Sequence, residues 1–390
     1  RKNPDLEGKK AFDEAELLIG AKRMTDAVQR PGQVVLHEYR SDKIVEYIKA
    51  HPQYRTVAIA LSGDVGFYSG ARKLMDLLDG DVQVICGISS VVYFMAKIGL
   101  SWDDARIVSA HGRDCNLISL IRHNPKVFSI LGTEDGVARL ASRLVEYGMG
   151  DVTLYVGENL SYENEKIFHA SAADLTEYRG DALSVVTACN EKALPLPAVH
   201  GICDEEFLRG KAPMTKEEVR TVSLSKLRLQ EDSVCYDVGA GTGSVSVEMA
   251  LRAWKGQVYA IEKKEDALAL LKENRRKFAT DNLEIVPGTA PEAMVELPVP
   301  THAFIGGSSG NMNEIIRLLL DKNPKVRIVI NCITLETVTE AMNAIRDFSL
   351  TDVDIVQLSA ARSKSIGRYH MMMGENPIYI ISCSGRGEEI

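Results

Sequence analysis

Val234-Cys235-Tyr236-Asp237-Val238-Gly239-Ala240-Gly241-Thr242-Gly243 decides the reading of this chain. Val234–Val238 has the apolar, β-branched character of a buried strand. It runs straight into three glycines at alternate positions, and a helical pattern follows, with Thr242 or Ser244 available as its cap. Glycines in such a turn let the backbone bend tightly and let a ligand approach its N–H groups. The next strand ends in Glu262, about twenty residues on, where a carboxylate can accept hydrogen bonds from both hydroxyls of a ribose. Strand, glycine turn, helix, strand and acid together point to a nucleoside ligand; a merely tight structural turn is the alternative.

The spacing discriminates between nucleosides. A dinucleotide site wants Gly-x-Gly-x-x-Gly/Ala, with a small third residue so that helix and strand pack closely. Here Gly239, Gly241 and Gly243 alternate, and Val245 stands two positions beyond the last of them. Asp237 places a negative group two residues before the first glycine, which favours a cation and repels a pyrophosphate. S-adenosylmethionine, with its ammonium and sulfonium, is therefore the expected cofactor, ahead of a nicotinamide dinucleotide.

Outward from this turn, β-branched runs alternate with helical stretches. After a helix at about Lys216–Lys226, strands are expected at Val234–Val238, Gln257–Glu262, Leu283–Val286, His302–Ile305 and Val326–Asn331. Asp352–Leu358 and Ile378–Ser382 leave no room for a long helix between them, so an antiparallel hairpin should close the sheet. Pro195 and Pro197 exclude a helix or inner strand around Ala193–Val199, and Lys192–Lys211 reads as an interdomain linker with the boundary near residue 200. Before it, strands at Arg55–Leu61, Val82–Cys86, Val127–Leu131 and Val152–Val156, with a helix around Gly70–Leu78, suggest a second parallel α/β sheet. The expected class is α/β, with domains at 1–191 and 212–390.

Composition agrees. At 390 residues the chain is too long for one ordinary core, and 45% hydrophobic against 26% charged residues describes a globular domain pair, not a disordered or membrane-spanning chain. The formal net charge of −8 invites neither nucleic acid nor an anionic membrane. Seven scattered cysteines and eight dispersed histidines show no metal-ligand spacing, so reduced thiols, no metal and a cytoplasmic location are expected. The sequence opens at Arg1 with no initiator Met, which suggests that part of the natural N-terminus is missing.

Asp237–Glu248 (Asp-Val-Gly-Ala-Gly-Thr-Gly-Ser-Val-Ser-Val-Glu), preceded by Pro-Met-Thr-Lys-Glu-Glu-Val-Arg at 213–220, resembles the decarboxylating C15-methyltransferases of corrin-ring biosynthesis. The likeness continues through Gly288-Thr289-Ala290-Pro291-Glu292, Phe304-Ile305-Gly306-Gly307-Ser308-Ser309-Gly310, Ala360-Ala361-Arg362 and the stretch Met371–Pro377. It implies a Rossmann-like class I methyltransferase domain over about 205–390. By that match Gly239, Ala240, Gly241, Thr242 and Gly243, with Asp237, surround the methionine moiety, and Glu262 takes the ribose. Gly288, Thr289 and Ala290 lie beside the adenine, with Gly307 also in the cofactor pocket and Thr215 near its mouth. Thr215 also reads as a helix N-cap with Glu218 at capping-box spacing, Thr289 as a turn residue, and Met371, Met372 and Met373 as core filling.

In the first half, Leu61-Ser62-Gly63-Asp64-Val65-Gly66-Phe67-Tyr68-Ser69 and Cys86-Gly87-Ile88-Ser89-Ser90 each put small or acidic residues after a strand. With Ile19-Gly20-Ala21-Lys22-Arg23 and Ala110-His111-Gly112-Arg113 they resemble the tetrapyrrole methylases, in particular the C5-methylating enzymes, over about residues 5–190. The resemblance implies a cofactor pocket lined by Asp64, Phe67, Ser89 and Ser90, with Lys22, Arg23, His111 and Arg113 toward substrate carboxylates. Such enzymes open with a strand and a Gly-x-Gly-Pro-Gly loop; this sequence starts just after where that loop would stand.

Two such halves in one chain imply S-adenosylmethionine-dependent methylation of a precorrin or cobalt-precorrin at C5 and C15, with loss of the ring C acetate carboxylate, by a homo-oligomer that binds neither nucleic acid nor membrane. No general base stands out, and the catalytic residues are unassigned. A polycarboxylate substrate wants a basic pocket, for which Arg362, Lys364 and Arg368 are the candidates, a solvated charged loop being the alternative. A nicotinamide-dependent oxidoreductase and a non-catalytic carrier of corrin intermediates are the rival readings.

Overall fold

A computed structural model describes residues 6–64, 66–110, 116–195 and 200–386. The chain divides into two compact units. One takes the chain up to residue 113, residues 124–145 and 149–191; the other takes 114–123, 146–148 and everything from 192 onward.

The first unit runs α1 (Leu6–Glu14), β1 (Leu17–Gly20), α2 (Lys22–Val28), β2 (Val34–His37), α3 (Ser41–Ala50), β3 (Val57–Ala60), α4 (Ala71–Met75), α5 (Ser90–Ile98) and β4 (Arg106–Ser109). After α6 (Leu117–His123), which belongs to the other unit, come β5 (Lys126–Ile130), α7 (Gly136–Glu146), β6 (Thr153–Glu158), β7 (Lys166–Ser171) and β8 (Ser184–Cys189). A small parallel sheet, β2-β1-β3, packs Leu17 and Ile19 on Ile44, Val45 and Leu74. The second sheet, β4-β5-β8-β6-β7, is not the parallel sheet expected. Only β4 and β5 run parallel; β8 pairs antiparallel with both β5 and β6, and β7 folds back on β6. The seven residues between β6 and β7 are too few for a crossover helix, so that pair is antiparallel. Val82–Cys86, expected as a strand, forms none. Val82 and Val84 are exposed there, and an apolar alternation without a partner strand stays irregular.

The second unit contains α8 (Glu217–Leu227), β9 (Val234–Val238), α9 (Ser244–Arg252), β10 (Gln257–Glu262), α10 (Glu265–Lys277), β11 (Leu283–Pro287), β12 (His302–Ile305), α11 (Met312–Lys322), β13 (Arg327–Cys332) and α12 (Leu335–Asp347). It ends in β14 (Thr351–Leu358), β15 (Ala361–Ile366), β16 (Tyr369–Gly374) and β17 (Ile378–Ser384). The seven-stranded order is β11-β10-β9-β12-β13-β17-β14, parallel through β13, with β17 antiparallel to both neighbours. The inner strands β9, β10, β12 and β13 read as near-continuous apolar runs because both faces are covered, whereas the edge strand β14 is largely exposed. Tyr236 and Val238 point to a core with Ile315, Ile316 and Ala341 of α11 and α12, whereas Cys235 points to Val219, Val247 and Leu271 of α8, α9 and α10.

The closing antiparallel strands are present, with a second hairpin between them. Among the described residues β15 and β16 pair only with each other, and Met371, Met372 and Met373 are 52%, 63% and 46% exposed. These methionines are not core. Among its described residues the stretch read as a linker contains a single 3-10 turn, Asp204–Glu206, and sinks Asp204 and Phe207 into the second unit.

Candidate cofactor and substrate site

The site of the second unit grows from the C-terminal ends of β9, β10 and β12, where ligands sit in open parallel sheets. Gly239, Gly241 and Gly243 all have positive φ, at 76°, 57° and 79°. A side chain at Gly239 would meet the Gly307 backbone at 2.9 Å, so the turn after β9 approaches the turn after β12 this closely because position 239 is glycine. A side chain at Gly243 would run into Leu271 of α10. Gly243 itself is the N-cap of α9 and no side chain caps that helix, contrary to the cap expected from Thr242 or Ser244. A left-handed N-cap cannot be Ser or Thr at low cost.

Two acids face this turn. Glu262 ends β10; its Oε2 accepts the Gly241 N–H at 2.8 Å, and its Oε1 accepts those of Lys263 and Lys264 at 2.8 and 2.9 Å. The carboxylate is thus fixed at the lip of the turn with one lone pair, on Oε2, to spare. Asp237 is wholly buried at the end of β9. Ser246 of α9 donates its hydroxyl to Oδ2, while Oδ1 has no hydrogen-bond partner among the described residues. Burial pushes the Asp237 carboxyl up to about 7, with the charge of Glu262 adding to the rise and Ser246 opposing it. The buried Thr242 hydroxyl is likewise unpartnered. Sequence alone missed Ser246, whose only signal is a small polar residue on a helix that is otherwise buried along its length.

The segment expected to flank the adenine lies beyond β11. The Gly288 N–H bonds to the Glu262 carbonyl at 2.9 Å, Thr289 is exposed, and the Ala290 carbonyl accepts the Asn311 amide at 3.0 Å. Lys263 reaches across to the Ser309 hydroxyl at 2.9 Å. Gly307 donates its N–H to the Val238 carbonyl at 3.2 Å. Thr215 is half-buried just before α8, and the capping box expected there is not formed: Lys216 is the N-cap, and the Thr215 carbonyl accepts Arg220 at 2.6 Å. An orphaned buried carboxylate oxygen, an orphaned buried hydroxyl, a glycine cradle and an acid at the ribose position fit S-adenosylmethionine.

The three basic candidates differ. Arg362 of β15 is tied to both oxygens of Glu218 at 2.8 and 2.7 Å, with Glu375 at 3.5 Å and Asp204 at 3.7 Å. It is therefore not the free cation expected, and the Glu218 pair holds its charge more firmly still. Arg368 donates to the Tyr369 hydroxyl at 3.0 Å, and Lys364 has no ion-pair partner among the described residues. Both are exposed on the hairpin beside the methionines.

In the first unit, the two motif segments do come together. Asp64, after β3, accepts the Gly66 N–H at 2.8 Å and the Cys86 thiol at 3.0 Å. Ser89 caps α5, accepting the Val92 N–H at 3.4 Å, and Ser90 is that helix's first residue. Phe67 packs 6.1 Å from the Phe128 ring. Lys22 and Arg23 are exposed at the start of α2. His111 and Arg113 lie outside the described residues.

A class I methyltransferase fold carrying a charged glycine cradle is thus joined to a separate α/β unit with its own strand-end cluster. Comparison with known proteins makes this specific. Residues 206–384 match the model of the precorrin methyltransferase domain, and residues 6–176 match that of the tetrapyrrole (corrin/porphyrin) methylases. A probable cobalt-precorrin-6B C(15)-methyltransferase (decarboxylating) of Pyrobaculum calidifontis is 44% identical over 188 residues, 47% of this chain and 96% of that protein. The cobalt-precorrin-6B C(15)-methyltransferase (decarboxylating) of Salmonella typhimurium is 41% identical over 182 residues, 46% of this chain and 94% of that protein. A solved precorrin-6Y C5,15-methyltransferase from Geobacter metallireducens is 40% identical, covering 47% of this chain and 95% of that one, with a TM-score of 0.45. The chain belongs to the decarboxylating C15-methyltransferase family, with a tetrapyrrole-methylase half preceding that domain.

Proposed function

We propose that this chain uses S-adenosylmethionine to methylate a precorrin or cobalt-precorrin at C15 and C5 and removes the ring C acetate carboxylate, in cobalamin biosynthesis. The observation that carries it is the buried, half-paired Asp237 beneath the glycine turn of a chain in this family. The cofactor supplies an electrophilic methyl on a sulfonium. The remaining tasks fall to the protein. Asp237 offers its free oxygen to the ammonium, Gly239–Gly243 leave room for the methionine chain, and Glu262 holds the ribose. Gly288, Thr289 and Ala290 flank the adenine, while Thr215 and Gly307 border the same pocket.

The acceptor is a meso carbon with enamine character, so placement and exclusion of water do most of the work and no strong base is required. Methylation leaves a cationic ring system. Breaking the acetate C–CO₂ bond returns its electron pair to that system, and carbon dioxide departs. Lys364 and Arg368 are the proposed partners for the remaining carboxylates. Arg362 joins them by exchanging Glu218 for a substrate carboxylate. In the first unit Asp64, Phe67, Ser89 and Ser90 are proposed for a second cofactor, and Lys22, Arg23, His111 and Arg113 for the substrate.

The working units are proposed as 1–191 and 212–390, in a cytoplasmic protein that binds neither nucleic acid nor membrane. Among the described residues no helix is long and apolar enough to cross a membrane. Self-association is supported by the β15–β16 hairpin, which has two open edges and exposed methionines on both faces. Thermal shift with S-adenosylmethionine and NADH side by side tests the cofactor: a rise with the first alone is expected, and a rise with NADH alone would move the chain to the oxidoreductases. Transfer of a labelled methyl to a precorrin separates an enzyme from a carrier.

A further inference from the structure

The segment Ile202–Thr215 has only one short turn of its own, yet it is fastened to the glycine turn at several points. Asn274 of α10 is fully buried on the same helical stripe as Ala267 and Leu271. Its Oδ1 accepts the Leu208 N–H at 2.8 Å, and its Nδ2 donates to the Leu208 carbonyl at 3.1 Å and to the Thr242 carbonyl at 2.9 Å. One amide therefore ties the segment directly to the turn and spends every donor doing so. Arg220 of α8, also fully buried, forms the second fastening. It donates to Glu248 of α9 at 2.5 Å, to Asp204 at 3.2 Å, to the Thr215 carbonyl at 2.6 Å and to the Ile202 carbonyl, with Phe207 4.7 Å from its guanidinium. Glu248 also accepts the Ile202 N–H at 3.1 Å. Between these points the Pro213 carbonyl lies where a side chain on Gly241 would meet it at 2.7 Å.

We propose that Asn274 and Arg220 are positioning residues for the cofactor: they buckle the strap 202–215 onto the glycine turn, so that Thr215 and the turn present one fixed surface. This rests on the reading that the turn binds S-adenosylmethionine. Most of the strap's side chains are exposed, and an irregular segment with few apolar anchors opens locally at low cost. A site that is ordered only part of the time loses affinity by that fraction. Saturated buried polar groups specify one arrangement more than they add stability.

The strap carries two trypsin sites, Arg209 and Lys211, both exposed. In the wild-type chain S-adenosylmethionine should slow cleavage at both. Asn274→Ala should cut faster with the cofactor present and bind it at least about tenfold more weakly, at a temperature where circular dichroism shows it folded. Asp204→Asn, which weakens the Arg220 fastening, should change both readouts in the same direction, and it decides the case if Asn274→Ala fails to fold. A purely structural role would lower Tm and leave affinity and cofactor protection as in the wild type; that result overturns the proposal. Wild-type protein that binds no S-adenosylmethionine would instead overturn the reading on which it rests.

Discussion

The carboxylate of Glu262 accepts the backbone N–H of Gly241 at 2.8 Å, so the acid that ends β10 also sets the position of the turn after β9. Glu262→Ala removes an acceptor from three backbone N–H groups as well as the proposed ribose contact. Calorimetric titration should show S-adenosylmethionine affinity falling by at least about tenfold, since a charge-assisted hydrogen bond contributes about 1.5–3 kcal/mol. Glu262→Gln, which keeps one acceptor oxygen, should lose less. Equal affinity in both variants and the wild type would remove Glu262 from the site.

The glycine turn was legible because sequence-local rules suffice there: a strand, three glycines needing positive φ and an acid one strand away all lie within thirty residues. The five parallel strands of the larger sheet followed from the alternation of strand and helix, and its two antiparallel strands from the short spacing between them. What escaped depends on distant partners. Nothing near Arg362 announces that Glu218, 144 positions earlier, closes on it, nor that Asn274 and Arg220 secure the stretch read as a linker. Met371–Met373 look like core by composition, but a two-stranded hairpin has no second layer to bury them. Val82–Cys86 has strand-like residues without a neighbouring strand to accept its hydrogen bonds.

Asp237 gives the site a pH dependence. In the free protein its carboxyl titrates at about 7, raised by burial. A bound cation favours the ionised form, so binding should release a proton below about pH 7, and affinity should climb with pH and level off above it. Titrations in buffers of different ionisation enthalpy measure the proton count. Asp237→Asn should abolish both the release and the slope. The stability consequence has the opposite sign: the unfolded chain ionises this group near the ordinary aspartate value while the folded one does not. The free protein should therefore lose stability as pH rises from about 4 to about 7 and gain nothing further beyond.

The hairpin cations should act on the substrate alone. The double replacement of Lys364 and Arg368 by Ala should raise KM for the precorrin by about tenfold or more and leave S-adenosylmethionine affinity unchanged. Because both side chains are exposed, Tm should move little. Parallel losses for the two ligands would mean that the hairpin shapes the cofactor site and does not meet the substrate.

The central claim is that one chain performs two methylations and a decarboxylation. Incubation of the purified protein with precorrin substrate and S-adenosylmethionine, followed by mass spectrometry of the corrin product, tests it most directly. The account predicts a product that has gained two methyl groups and lost one carbon dioxide. A corrin of unchanged mass, under conditions where the cofactor binds, would contradict it.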